Sequence, residues 1–288
     1  MPSSTPPAVS VVIPARNAAA TLRDQLEAIV SQAGALSLEV VVVDNGSTDG
    51  TGDLVRSMAP ECPVELRVVR EEVPGINNAR NAGIAAARGD MVLLCDADDV
   101  VQPGWVSGLV EALGRADVAG GWVETASLNE PGVARMWGLS SPLHNPTTSP
   151  WGCNFGFRRE VWDAVGGFDR SLSGHNDEVE FVERAKMLGR TVEITSAAVV
   201  AYRLRSDPSH VIRRMYQNGR VEALMAKRTN RPRSFLGSSK RAVLDWGWLL
   251  VTSPKALVHR EFRWTWQQRL AAARGRIRGS FEHRIYWP

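Results

Sequence analysis

Residues 91–106 read MVLLCDADDVVQPGWV. An apolar run ends in Cys95, and Asp96, Asp98 and Asp99 follow with only Ala97 between them. The run reads as a buried strand, and carboxylates crowded at its end repel one another. Such acids are hard oxygen ligands that suit Mg²⁺ or Mn²⁺, above all where a substrate diphosphate completes the shell. The competing reading is a loop whose acids cap the helix after Pro103. An EF-hand is excluded: counting from Asp96, the sixth position is Val101 rather than Gly and the twelfth is Ser107 rather than Glu.

Upstream of this stretch, strand and helix patterns alternate. VSVVIP (9–14) is β-branched and stopped by Pro14, and LEVVVVD (38–44) is too apolar to be an exposed strand. VELRVV (64–69) is a third strand and DMVLLCD (90–96) a fourth. Between them, Leu22, Leu26, Ile29 and Val30 fall on one helical face, with Thr21 and Asp24 as a capping-box-like start. Leu54, Val55 and Met58 mark a second helix, and NNARNAGIAAA (77–87) is helix-prone despite Gly83. This alternation argues an α/β fold with a mostly parallel sheet covered on both faces. In such sheets functional residues gather at the carboxyl ends of the strands, near the switch in strand order. A strand order of 3-2-1-4 would bring PARN (14–17), Asp44 and DADD (96–99) to one crevice.

Composition sets further bounds. The chain has 288 residues, 44% hydrophobic and 23% charged, enough for one large domain or one with an appendage. No apolar run reaches the roughly 18 residues that a membrane span needs. The opening MPSSTPPAVS has no basic or apolar leader pattern and reads as a flexible lead-in over residues 1–8. Cys62, Cys95 and Cys153 are an odd number without metal spacing, which points to a reducing, cytoplasmic compartment. Charge is uneven: residues 1–204 carry 16 Lys+Arg against 26 Asp+Glu, a net of −10. Residues 205–288 carry 18 against 5, a net of +13, which suggests an anionic partner.

Four segments together carry a specific resemblance. SVVIPARN (10–17), VVVDNGSTDGT (41–51), PGINNARNAGIAAARGDMVLLCDADD (74–99) and FRREVWDAVGGFD (157–169) occur in this order. The series closely resembles family 2 glycosyltransferases of the GT-A, Rossmann-like fold over roughly residues 8–205. The resemblance implies a catalytic domain over 9–205, followed by a basic, Trp-containing helical region over 206–288. It implies that Pro14, Ala15, Arg16 and Asp44 hold the nucleotide base of the donor, with Asn45, Gly46 and Ser47 in the adjoining turn. Arg80 and Asn81 match the family's Ala-Arg-Asn. Asp96 and Ala97 belong to the metal-diphosphate motif, with Asp96 nearer the ribose and Asp98 nearer the metal. Asp177 and Glu178 stand where the family places its catalytic acid pair, in swapped order, so either could be the base. Glu180, Phe181 and Arg184 match the positions that follow. Trp151, Cys153 and Asn154 fall near the sugar and acceptor, or are loop packing. Arg158 and Arg159 would pair with carboxylates or with phosphate. His175 and His210 are candidates for a further metal ligand, and His144 has no evident partner.

The implied activity is transfer of a sugar from a nucleoside-diphosphate sugar to a saccharide or lipid-linked acceptor. It would need Mg²⁺ or Mn²⁺ and would invert by a single displacement. UDP is the favoured nucleotide, with GDP and dTDP open. Two alternatives stand beside it: a non-enzymatic nucleotide-sugar-binding relative, and a sugar nucleotidyltransferase, whose Gly-rich Arg-containing loop is absent from PARNAAATL (14–22). A Rossmann dehydrogenase lacks its Gly-X-Gly-X-X-Gly and a P-loop NTPase its Gly-Lys-Ser/Thr. The basic tail has two readings. Its Trp246, Trp248, Trp264 and Trp266 with nearby Arg and Lys could lie on an anionic membrane surface. Equally, they could pack a helical layer. No nucleic-acid motif accompanies the charge, which disfavours that partner.

Overall fold

The computed structural model describes residues 7–34, 36–139, 141–146, 149–172, 176–228 and 235–286. It divides into two compact units. The first spans residues 7–129 and 141–203; the second spans 130–139 and 204–286.

The first unit is built on one sheet. Strands β1 (Val9–Ala15), β2 (Leu38–Asp44), β3 (Glu65–Arg70) and β4 (Met91–Leu94) pair parallel in the order β3-β2-β1-β4. Beyond β4 the sheet is mixed. β8 (Phe155–Arg158) runs antiparallel to β4 and to β6 (Val118–Glu124), and β6 runs parallel to β9 (Val192–Ala201). Two-residue strands β5 (Val100–Val101) and β7 (Leu143–His144) pair antiparallel with β9 and β6. The parallel half thus has the order that brings PARN, Asp44 and DADD to one edge, and the β8 insertion supplies the antiparallel half.

Period-two alternation within the strands feeds two cores. Val9, Val11, Ile13, Val40 and Val42 face one cluster, with Leu22, Leu26 and Ile29 of α1 (Leu22–Val30), Val55 of α2 (Thr51–Met58) and Trp105 of α4 (Trp105–Leu113). Val12, Val41 and Val43 face the other. There they meet Ile84 of α3 (Ile76–Ala86), Val161 of α6 (Arg159–Val165) and Phe181 of α7 (Asp177–Met187). Each such fully buried side chain contributes about 2 kcal/mol. Gly83 is required inside α3: a Cβ there would lie 2.6 Å from Val43 Cγ2 and closer still to Val12, so only glycine lets the helix seat on the sheet.

Three local expectations are corrected. Thr21 does not cap α1 with its side chain; its hydroxyl donates to the Ala97 carbonyl at 3.0 Å. Arg158 and Arg159 meet neither carboxylate nor phosphate. Arg158 donates to Leu113 O at 2.5 Å, and Arg159 to Ile84 O, Ala87 O and Gly89 O. Both guanidinium groups serve the open carbonyls at helix C-termini, where the helix dipole favours a cation.

The second unit contains α5 (Pro131–Met136), α8 (Pro208–Arg228), α9 (Phe235–Val258) and α10 (Arg260–His283). Gly219 of α8 and Gly275 and Gly279 of α10 bring the two backbones into contact, since a Cβ at any of them would overlap a carbonyl of the facing helix. Three of the four tail tryptophans find partners within this unit, as the packing reading expects. Trp264 donates to Met136 O and Trp266 to Leu249 O at 2.9 Å, while Trp248 lies 5.7 Å from the Phe262 ring and 4.2 Å from Arg269 Cζ. Among the described residues, no helix is long and apolar enough to cross a membrane.

At the edge opposite the strands' carboxyl ends, Glu39 is fully buried. It accepts hydrogen bonds from Ser10 Oγ at 2.6 Å and Arg88 N at 2.6 Å, and it pairs with Arg67 at 3.0 Å. Burial pushes its carboxyl up, but the bonds from Ser10, Arg88 and Arg67 outweigh it and hold the pKa below its ordinary 4.5. A lowered folded pKa stabilises above the unfolded value and is lost as pH falls through the folded one. Glu39→Gln is therefore expected to lower unfolding free energy at pH 7 by about 2 kcal/mol. The difference from wild type should shrink on acidification below the ordinary Glu range, measured by urea titration at several pH values.

Candidate functional site

The carboxyl ends of β1, β2 and β4 meet at one edge. Ala15 stands opposite Asp44 across β1 and β2. Ala15 is buried, Pro14 half-buried and Arg16 exposed. Asn17, at φ +52°, turns the chain, and its side-chain Oδ1 accepts Thr48 N–H at 2.9 Å. Ser47 Oγ and Thr51 Oγ1 accept the Asn17 and Ala18 amides. The loops after β1 and β2 are thereby stitched into one wall. Asp44 belongs to this wall: its Oδ1 accepts Ser47 N–H at 2.8 Å, closing the turn rather than capping α2, whose N-cap is Gly50.

Asn45 was expected among the donor contacts, but its side chain faces the scaffold. It donates to Glu71 O at 2.9 Å and Val73 O at 2.8 Å and accepts Gly75 N–H at 2.8 Å. It therefore fixes the loop that starts α3.

Each carboxyl of the acid turn meets a different environment. Asp99 is fully buried; its Oδ1 accepts Arg203 N–H at 2.7 Å. Burial, and then the charges of Asp96 and Asp98, push its carboxyl well above the usual range. Asp96 remains partly exposed, with Oδ1 3.9 Å from Arg80 Nη2. Asp98 is half-buried, and its carbonyl accepts from Arg203 Nε at 2.9 Å. The turn is braced from below by Gln25, a fully buried residue of α1. Gln25 donates to Asp96 O at 2.9 Å and accepts Val101 N–H at 2.9 Å. Gln25 and Arg203 escaped the sequence reading. The signal for Gln25 was present: it sits between Leu22, Leu26 and Ile29 on the buried face, where an amide must find partners.

Arg80 is the centre of the site. It is 3% exposed and forms an ion pair with Asp177, whose side chain is equally enclosed. Its guanidinium also approaches Asp96, donates to Gly152 O at 3.4 Å and lies 5.4 Å above the Phe168 ring. Burial pulls its pKa down, but the charges of Asp177, Asp96 and Glu178 more than offset this and hold it charged. Gly152 leaves room for this arrangement. A Cβ there would lie 2.6 Å from Arg80 Nη2 and 3.5 Å from Glu178 Oε2.

A clasp holds α3 against α7. Asn81 donates to Phe168 O and accepts Phe168 N–H and Trp162 Nε1–H. Asn77 reaches Asp169 O, and Arg184, paired with Glu180 at 2.6 Å, donates to Val165 O and Gly167 O. Phe168 stacks on Phe181 at 4.7 Å. Thus the matched positions Asn81, Glu180, Phe181 and Arg184 fix the segment that places Asp177 and Glu178 beside Arg80.

Trp151 is half-buried, stacked on His144 at 6.1 Å and edge-on to Tyr202 at 6.3 Å. Asn154 is corrected to packing. It is fully buried, accepts Trp105 Nε1–H at 2.8 Å and donates to Trp122 O and Ala198 O, so its amide has no capacity left for a ligand. Cys153 is buried too. His175 lies outside the described residues, and His210 pairs with Asp207 at 3.3 Å in the second unit.

Among the described residues, no three His, Cys, Asp or Glu side chains converge into a complete metal shell. Asp96 and Asp98 offer hard oxygens at a strand end. That set fits a Mg²⁺ or Mn²⁺ that takes its remaining ligands from a bound diphosphate and water.

The profile of Glycosyl transferase family 2 matches residues 10–166, the stretch that carries the wall, Arg80 and the acid turn. The chain belongs to this family. It is 30% identical over 218 residues to the succinoglycan biosynthesis protein ExoO of Rhizobium meliloti, covering 70% of this chain and 59% of that one. The chain spans between 16% and 73% of the length of the curated relatives it matches, and 59% of ExoO. The mannosyltransferase PcManGT of Pyrobaculum calidifontis, solved with GDP-Man and Mn²⁺, superposes with a TM-score of 0.66 at 21% identity, over 97% of this chain and 88% of that one. Glucosyl-3-phosphoglycerate synthase of Mycobacterium tuberculosis, solved with Mn²⁺, UDP and phosphoglyceric acid, gives 0.57 at 22% identity over 79% and 80%. These family 2 and GT-A likenesses establish the fold.

Removing Arg80 would leave Asp177 charged and enclosed. Arg80→Ala is expected to cost about 3 kcal/mol of unfolding free energy, measured by chemical denaturation. Arg80→Lys should recover only part of it, because a single ammonium cannot reach Asp177, Asp96 and Gly152 O together.

Proposed function

We propose that this family 2 member transfers a sugar from a nucleoside-diphosphate sugar to an acceptor hydroxyl, using Mg²⁺ or Mn²⁺ and inverting in a single displacement. The observation that carries the reading is the buried Arg80, held between Asp96 of the acid turn and Asp177 of α7 at the carboxyl edge of the sheet. Sugar transfer needs a place for the leaving diphosphate and a base for the acceptor, and this residue joins the two.

Pro14, Ala15, Arg16 and Asp44 line the wall that receives the base, and Asn45 positions it from behind. Asp98 would hold the cation as its protein ligand, with Asp96 nearer the ribose of the donor. Bound there, the cation would neutralise charge on the leaving diphosphate as a Lewis acid. Arg80 engages Asp177 in the buried ion pair, so Asp177 orients rather than accepts a proton. Glu178, half-buried beside Gly152, is the carboxylate placed to take the proton from the attacking hydroxyl. One base suffices for inversion, because no covalent intermediate forms. Trp151 with His144 and Tyr202 offers an aromatic face for a sugar ring of a saccharide or lipid-linked acceptor. UDP is the favoured nucleotide; the solved complexes of the two fold neighbours hold GDP-Man and UDP.

A thermal-shift screen of nucleotide sugars with Mn²⁺ tests the donor class. The true donor should raise Tm, since ligand at a hundred times its Kd stabilises by about 2.7 kcal/mol. A flat response to every nucleotide sugar would contradict the proposal. Kinetics test the residues. Asp98→Asn should lose metal-dependent transfer while keeping its Tm. Glu178→Gln should lower kcat by about 10²-fold or more at unchanged donor affinity. Asp177→Asn should lose stability together with activity, because it strips Arg80 of its partner. A normally active Glu178→Gln would transfer the base role to Asp177.

A further inference from the structure

Apart from Phe281 of α10 and Tyr286, the exposed large hydrophobic side chains among the described residues of the second unit are aliphatic and lie on one helix. Val243, Leu244, Leu250, Val251, Leu257 and Val258 of α9 are 62–81% exposed. At 100° per residue they fall in one arc of about 140°, completed by Gly247 and Pro254 and bordered by Lys255. The opposite arc carries Asp245, Trp248, Leu249, Thr252 and Ala256, which face the unit's interior: Leu249 and Ala256 are buried, and Asp245 pairs with Arg276 at 2.6 Å. The exposed arc runs from Val243 to Val258, about 22 Å of helix.

Charge identifies what covers it. Lys240 stands in the same exposed arc near one end, Lys255 borders it near the other, and exposed His259, Arg260 and Arg263 follow. Asp245 is the one acidic residue between positions 240 and 260, and it lies on the inner face. An apolar arc rimmed by cations and free of anions suits the plane of an anionic lipid surface. Aliphatic side chains would enter the acyl boundary while lysines reach up to the headgroups. A second copy of the chain fits less well. A two-helix seam uses a narrower stripe, its knobs here would include Gly247 and Pro254, and like charges would face each other.

We propose that the exposed face of α9 is a membrane-docking surface that lies in the plane of an anionic bilayer. The inference does not depend on the proposed activity. The full chain is tested by cosedimentation with vesicles of phosphatidylcholine alone and of phosphatidylcholine and phosphatidylglycerol in equal parts, at low and high salt. Binding to the mixed vesicles is expected, weakened by salt. The double variant L250E/V251E, changed at positions 72% and 81% exposed, should keep its circular dichroism and Tm and bind about tenfold less. The variant K240E/K255E should lose the preference for anionic vesicles while keeping its fold. Three results overturn the proposal. The intact chain stays in the supernatant with mixed vesicles at low salt. L250E/V251E binds as well as wild type. Or the intact chain is a dimer that L250E/V251E makes monomeric without vesicle binding, which would assign the face to a second copy.

Discussion

The ion pair between Arg80 and Asp177 is the interaction on which the rest of the site depends. Both partners are enclosed, and enclosed charges are stable only as a pair with further hydrogen bonds. Arg80 comes from α3 and Asp177 from α7, which lie far apart in sequence and would repack independently without the clasp of Asn77, Asn81 and Arg184 on the segment from Val165 to Leu172. The clasp sets the distance, and the pair makes that distance electrostatically necessary. Because Arg80 also approaches Asp96, the two halves of the proposed chemistry are mechanically one.

The same logic resolves the crowding of acids at the end of β4. Three charges in one turn would be costly, and the fold gives each a different condition. Asp99 is buried, with its carboxyl pushed well above the usual range, Asp96 lies near Arg80, and Asp98 stays half-buried in the turn. Gln25 and Thr21 of the first helix and Arg203 at the end of β9 hold the turn through backbone atoms, so its shape does not rely on the charges it carries.

Much of this was legible in the sequence for identifiable reasons. Continuous β-branched runs specify buried parallel strands, while their order in the sheet is set by packing. The acid turn was visible in its own crowding; Arg80 and the Asp177-Glu178 pair stood out only through the resemblance to family 2 glycosyltransferases. What was hidden depends on direction rather than type. Asn45 and Asn154 look like ligand contacts, yet their amides are spent on backbone groups. Arg158 and Arg159 look like anion partners and instead close helix ends. Of the two readings of the tail tryptophans, packing contacts are met at Trp248, Trp264 and Trp266, while exposed aliphatics line one face of α9. Periodicity says that a side chain is on a face; only the packing says which neighbour it meets.

The central claim is that Arg80 stays with Asp177 while the acid turn holds the cation, leaving Glu178 to face the acceptor. A crystal structure of the chain with Mn²⁺ and a nucleoside diphosphate tests it most directly. The account predicts Asp98 in direct coordination of the ion, the diphosphate between Asp96 and Arg80, and the Arg80–Asp177 pair intact. An ion held by Asp177 and Glu178, or Arg80 swung onto the diphosphate with Asp177 released, would contradict it.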